Sequence, residues 1–260
     1  MRGVWHRDTV SWIIVSAMLP VVVAASLDLG FAIMQRFGVA LAVISFWQGV
    51  FLFTRAQPLS PIALVTAFAV AVLASGTTEM WQIVLAASFG TVMGEQIFGG
   101  WGRNVVNAGV VTLAFLYFAF PEVLHTGTGP LVAVAAGFGA LLLLVMGVLS
   151  WRIAVAATMG LVLATFALGQ DPAAPFLEGS LVFGLVFLIG DPVASASTRM
   201  GRWAYGALAG ALVAIFGWAD AGIDAPQAVV FATLLASLFA PLLDAAAIAV
   251  VTRKWRGGHA

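Results

Sequence analysis

No charged side chain interrupts the stretch from Ala56 to Thr78, nor the one from Leu131 to Trp151, and comparable apolar runs recur along the whole chain. A run of about 17 to 25 apolar residues is long enough to cross a hydrocarbon core as a helix. In lipid every backbone N–H and C=O must pair internally, which leaves only helices or closed barrels. Barrel strands alternate apolar and polar positions over segments of roughly ten residues, and these runs do not alternate. Composition agrees, with 62% of residues hydrophobic and 8% charged, against roughly 25% charged in soluble domains. The chain reads as an all-α polytopic membrane protein, with the lipid bilayer as its first partner.

Hydropathy places about ten spans, at 10–27, 37–54, 60–76, 80–97, 104–120, 130–149, 152–168, 178–195, 203–219 and 226–251. The N-terminal "MRGVWHRDTVSW" has the basic residues of a signal peptide. Its apolar run continues past Pro20 to Ser26 with no A-x-A site, so it is expected to be a permanent first span. The charges test this count. With the N-terminus inside, every Lys and Arg except Arg36 falls on inside loops or ends, while Asp28, Glu79, Glu122, Asp171, Glu178, Asp220 and Asp224 fall outside. That asymmetry predicts an even number of spans with both ends on the cytoplasmic side. Ten spans divide into two repeats of five, near 1–125 and 126–260, and repeats of odd span number insert in opposite orientations.

Several chemistries are excluded. Without cysteine there is no disulfide, no thiolate chemistry and no Cys-ligated iron-sulfur cluster. His6, His125 and His259 all lie in loops or termini, so no pair faces across spans to hold a bis-His haem, and no metal site is expected. A formal net charge of zero gives no basic footprint for nucleic acid. Neither a Ser-His-Asp set nor a phosphate-binding loop appears.

Two polar breaks stand out, "GGWGRNVVNAG" at 99–109 and "GDPVASASTRMGRW" at 190–203. Unpaired N–H groups at a helix start carry the positive end of its dipole, and a glycine turn lets an anion approach them. Gly99, Gly100 and Gly102 are the candidates for that approach. Asn104 and Asn107, three apart on an expected helical face, are candidates to hydrogen-bond a polar ring or backbone. A tight turn that stitches the repeat interface is the alternative. Asp191 is a carboxylate inside an expected span, a costly placement that marks an ion-pathway candidate, with helix capping as its alternative. Asp244, in the last span, is the second such candidate; pairing with backbone or with the inside basic cluster is the other reading.

Three stretches in order carry a family likeness: "FGGWGRNVVNAGVVTLAFLYFAFP" (98–121), "EGSLVFGLVFLIGDPVASASTRMGRWAYG" (178–206) and "FATLLASLFAPLLDAAAIAVVTRKWRG" (231–257). The chain resembles the NqrB/RnfD family, the membrane subunits of the sodium-translocating NADH:quinone oxidoreductase and of the Rnf ferredoxin:NAD oxidoreductase. Spans one to three match in hydrophobic character and position alone.

The resemblance implies a ten-helix inverted-repeat fold similar to urea and ammonium transporters, in the bacterial inner membrane. It also implies a redox subunit of an ion pump rather than a stand-alone enzyme, binding FMN and working with membrane, flavin and iron-sulfur partner subunits. Family members attach FMN through its phosphate to a Thr in a "D-x-x-[ST]-G-A-T" segment; the nearest text here is "HTGTGPL", 125–131. Alignment on Gly127 and Pro130 puts Gly129 at the acceptor position, with Val123 for the Asp, a shortened loop, and Thr126 and Thr128 as the hydroxyls at hand. Ala108 stands where the family's first motif has Pro. A cofactor-free channel or transporter on the same fold is the alternative, and a compact member that has lost its flavin and scaffolds a different redox partner is a third.

Overall fold

The structure of the chain, a computed structural model, describes residues 6–74, 76–121, 127–220 and 226–257. Among these residues it is helical, without strands. The first half contains α1 (Arg7–Leu29), α2 (Ala32–Arg55), α3 (Ile62–Leu73), α4 (Met80–Gly94) and α5 (Ala108–Ala119). The second contains α6 (Pro130–Val145), α7 (Trp151–Ala167), α8 (Gly179–Phe183, continued by a π-helical turn over Gly184–Ile189), α9 (Arg199–Asp220) and α10 (Pro226–Gly257).

Every expected span thus corresponds to a helix, but lengths differ from expectation. Among the described residues only α1, α2, α9 and α10 are long and apolar enough to cross a membrane alone. A helix of 12 residues such as α3 or α5 reaches roughly 18 Å, against about 30 Å of hydrocarbon. The shortening has local causes. Expected span 104–120 loses its first turn because Asn104 and Asn107 bond the neighbouring backbone in place of a helical ladder. Expected span 178–195 stops at Ile189, where Gly190, Asp191 and Pro192 follow.

The short helices α3 and α5 lie mostly buried. In α3 every residue except Leu64 is buried, as an all-round apolar helix requires. The surface is the reverse of a soluble protein's: Phe31, Phe46, Phe53, Phe118, Phe138 and Phe166 are all exposed. Such a surface is stable only against lipid or another apolar partner, and the chain is a multi-pass membrane protein.

In the first half α1 packs on α3, α2 on α3 and α4, and α4 on α5; in the second, α6 packs on α8, α7 on α9 and α9 on α10. Contacts of α1 with α6 and of α5 with α10 join the halves. Apolar lipid supplies no hydrophobic force between helices, so close approach through small residues does the work. Gly206 and Gly210, four apart on α9, show this: an added Cβ at Gly206 would stand 2.7 Å from the Ile153 carbonyl of α7, and one at Gly210 would run into Ala157 O.

Candidate functional site

The two polar breaks meet. Asn107 is the N-cap of α5, and its Oδ1 accepts from the N–H groups of Gly109 (2.8 Å) and Val110 (3.4 Å). That leaves its amide Nδ2 free to donate across the interface to Asp191 Oδ2. Asp191 Oδ1 accepts from Val193 N (2.7 Å) and Ala194 N (3.1 Å), so the carboxylate organises the turn after α8. Both side chains are buried, 7% and 5% exposed.

Two cavities adjoin this link. A void of about 10 Å³, lined by Asn107, Asp191, Phe187, Ile62, Val65 and others, has the size of one water molecule. Val193 and Ala194, the donors to Asp191, also line a larger cavity of about 300 Å³ together with Asn104, Ser195, Ser237 and Asp244. Pro241 lines it too; lacking an N–H, it withholds the helical partner of the Ser237 carbonyl in α10.

Asp244 lies at the edge of that cavity. Its Oδ2 accepts from Ser197 N (2.8 Å) and Oγ (2.9 Å), and its Oδ1 from Thr198 N (3.0 Å) and Oγ1 (2.6 Å). Thr198 Oγ1 in turn accepts from Gly201 N (2.9 Å) in the first turn of α9. The carboxylate therefore ties the start of α9 to α10 by backbone and hydroxyl bonds.

The glycine turn is arranged differently from an open anion cradle. Gly99, Gly100 and Gly102 have φ of 102°, 89° and 98°, which only glycine adopts without strain. Their amides are already used: Gly99 N donates to Gln96 O, Gly100 N to Glu95 O and Gly102 N to Asn104 Oδ1, each at 3.1 Å. Arg7 donates to Trp101 O (3.3 Å) and Gln57 to Gln96 O (3.1 Å), fastening the turn to α1 and to the end of α2. Asn104 is not helical, contrary to the expectation of a shared face with Asn107; its Nδ2 donates to Val106 O (2.9 Å).

Thr128 sits at the other end of α5, so the turn and this threonine do not share a site. Its carbonyl accepts from Gly179 N (2.9 Å), while its hydroxyl is enclosed, with no partner among the described residues. Thr126 lies outside the described residues. These groups do not fit a phosphate-linked FMN: the three glycine amides of the turn are already bonded and Thr128 offers no reachable oxygen.

Three buried polar groups were missed from sequence. Glu95, 3% exposed, accepts from Gln96 Nε2 (3.0 Å) at the end of α4. Gln48 of α2 exchanges long bonds with the Ser60 backbone, at 3.4 and 3.5 Å. Arg36, 2% exposed, donates to Ala74 O (2.8 Å) just past α3. The signals existed: Glu95 is a carboxylate in an expected span, and Arg36 is the one exception to the charge asymmetry. Among the described residues no group of acidic or histidine side chains could hold a metal ion.

The chain is thus a helical membrane protein whose core brings two interrupted segments together through a buried amide–carboxylate link. Residues 5–130 and 122–252 match the NQR2, RnfD, RnfE family, and the chain belongs to that family. It is 26% identical, over 80% of its length, to NqrB of the Na(+)-translocating NADH-quinone reductase from Ectopseudomonas mendocina, covering 65% of that protein. It is 28% identical to NqrB of Pseudomonas aeruginosa strain LESB58, over 76% of this chain and 62% of the relative. NqrB of Klebsiella pneumoniae strain 342 is 27% identical over 97% of this chain and 76% of its own. The chain thus spans under two thirds of the length of the first two relatives. The Klebsiella alignment runs over 316 positions against 260 residues here, so this chain lacks internal segments that the relative carries.

Proposed function

We propose that this chain is a membrane-embedded subunit of a redox-driven, ion-translocating complex of the Nqr or Rnf kind, and that its own part is to carry the ion. The buried link between Asn107 and Asp191 carries this reading. It sets one carboxylate, flanked by a water-sized void and a polar cavity, at the place where both halves of the chain break their helices. A cation crossing hydrocarbon needs such a fixed counter-charge and replacement ligands for its water. Asp244, at the edge of the larger cavity, is the second acidic group on that route.

The fold in this reading is a pair of inverted repeats of five helices, near 1–125 and 126–260, resembling urea and ammonium transporters. The packing supports it: α1 with α3, α2 with α4 and α4 with α5 are matched five helices later by α6 with α8, α7 with α9 and α9 with α10. Both ends lie on the cytoplasmic side of a bacterial inner membrane. Flavin- and iron-sulfur-carrying subunits and other membrane subunits are the partners, and electron transfer belongs to the assembly.

A second reading, a cofactor-free conduit for an ion or solute, is favoured by the enclosed Thr128 hydroxyl. One experiment separates them. The affinity-tagged chain is expressed from its native gene neighbourhood, purified in mild detergent and reconstituted in vesicles. Co-purification of redox subunits, with cation uptake that requires an electron donor, is the expected result. A chain that purifies alone and conducts without a donor supports the conduit and overturns the redox reading.

A further inference from the structure

We infer that Thr128 is not a flavin acceptor in this chain but the packing contact that seats the start of α8, an inference that rests on the family reading above. A phosphate ester needs a hydroxyl that a phosphate can reach and room for the group beyond it. Thr128 is 5% exposed, and its Oγ1 presents essentially no surface. It faces Gly179 so closely that a single added Cβ there would stand 2.5 Å from Thr128 Oγ1, 2.6 Å from Gly129 O and 2.6 Å from Val132 Cβ. Where one carbon does not fit, a phosphate does not.

Two further features oppose the ester. The carbonyl of Thr128 is held by Gly179 N at 2.9 Å, so α8 and the loop are locked together. On the next residue, a Cβ on Gly129 would stand 3.0 Å from Asp28 Oδ2, so a carboxylate already occupies the neighbourhood that the anionic phosphodiester would enter. Like charges so placed repel. The glycine turn cannot compensate from afar: it lies beyond α5, roughly 18 Å of helix away, with its glycine amides already bonded.

The whole chain is co-expressed with an FMN-supplying transferase of the class that forms threonine phosphoesters, then denatured. Intact mass and in-gel flavin fluorescence are read, beside a relative that carries the complete acceptor segment. The expected result is the unmodified 27.0 kDa mass and no fluorescent band, while the relative fluoresces. Thr128→Val, which keeps the shape and removes the hydroxyl, completes the test. An FMN adduct that disappears in Thr128→Val overturns the inference; one that persists supports it and moves the ester elsewhere in the loop. These readouts concern the chain's covalent state, so they are independent of whether redox partners co-purify.

Discussion

The ends of α3 and α8 pose the same physical problem, and the charged residues beside them have opposite signs. Both helices stop deep in the bundle, where unpaired carbonyls are costly. At α3 the Leu73 carbonyl accepts from Tyr117 Oη (2.9 Å) and the Ala74 carbonyl from Arg36 (2.8 Å). At α8 the Ile189 carbonyl accepts from Tyr205 Oη (3.3 Å), but the charged residue that follows is Asp191. A cation at a helix C-terminus is favoured by the dipole, and an anion there is not. Arg36 is therefore accounted for by the helix it caps. Asp191 sits against the local field and is held there by donors from Asn107, Val193 and Ala194, the costly placement on which the proposed ion-carrying role rests.

Breaking the acidic end should have the largest effect. Asp191→Ala leaves two buried donors and one half-buried donor unpaired, at about 1–3 kcal/mol for each buried one, and should abolish ion uptake and lower the melting temperature in detergent more than any of the changes below. Asp191→Asn keeps the shape and removes the charge. It should fold but lose uptake, and transport at the parental rate would remove Asp191 from the pathway.

At the basic end, Arg36→Leu orphans the Ala74 carbonyl, an expected destabilisation of about 1–3 kcal/mol, with uptake per folded molecule unchanged. A loss of uptake as deep as that of Asp191→Asn would show that the two ends are functionally alike. Tyr117→Phe and Tyr205→Phe each delete one hydroxyl donor and should cost about 0.5–1.5 kcal/mol. Chemical denaturation should find Tyr117→Phe the more damaging, since its bond is the shorter. Asp244→Asn should have the smallest effect on stability, about 0.5–1 kcal/mol, because water replaces part of what the exposed cap supplies. The change should be read as fraying of the first turn of α9 by hydrogen exchange.

Helix positions were legible because apolar runs and charge asymmetry report on lipid, which acts on every residue. Lengths were not, since hydropathy cannot distinguish an apolar residue in a helix from one in a non-helical bend such as Val105 and Val106. The two breaks were legible by their unusual composition, but neither their contact nor its chemistry was. Asn107 reads equally well as ligand or cap, and only the bond to Asp191 shows that one amide does both. Glycines at 99, 100 and 102 correctly signalled positive φ, while the bonding of their amides depends on Gln96, Glu95 and Asn104 folding back. Arg36 was visible only as an anomaly of sidedness, and its burial explains the anomaly.

The π-helical turn at Gly184–Ile189 has a consequence for how the halves are coupled. A π turn holds one residue more than an α turn, and each residue rotates a helix by roughly 100°. Excising a single residue from this turn would leave its composition and hydropathy nearly unchanged, yet would swing Asp191 away from Asn107 by more than a quarter revolution. The alignment of the buried carboxylate with the opposite half is thus written in the girth of one helix, as a phase offset.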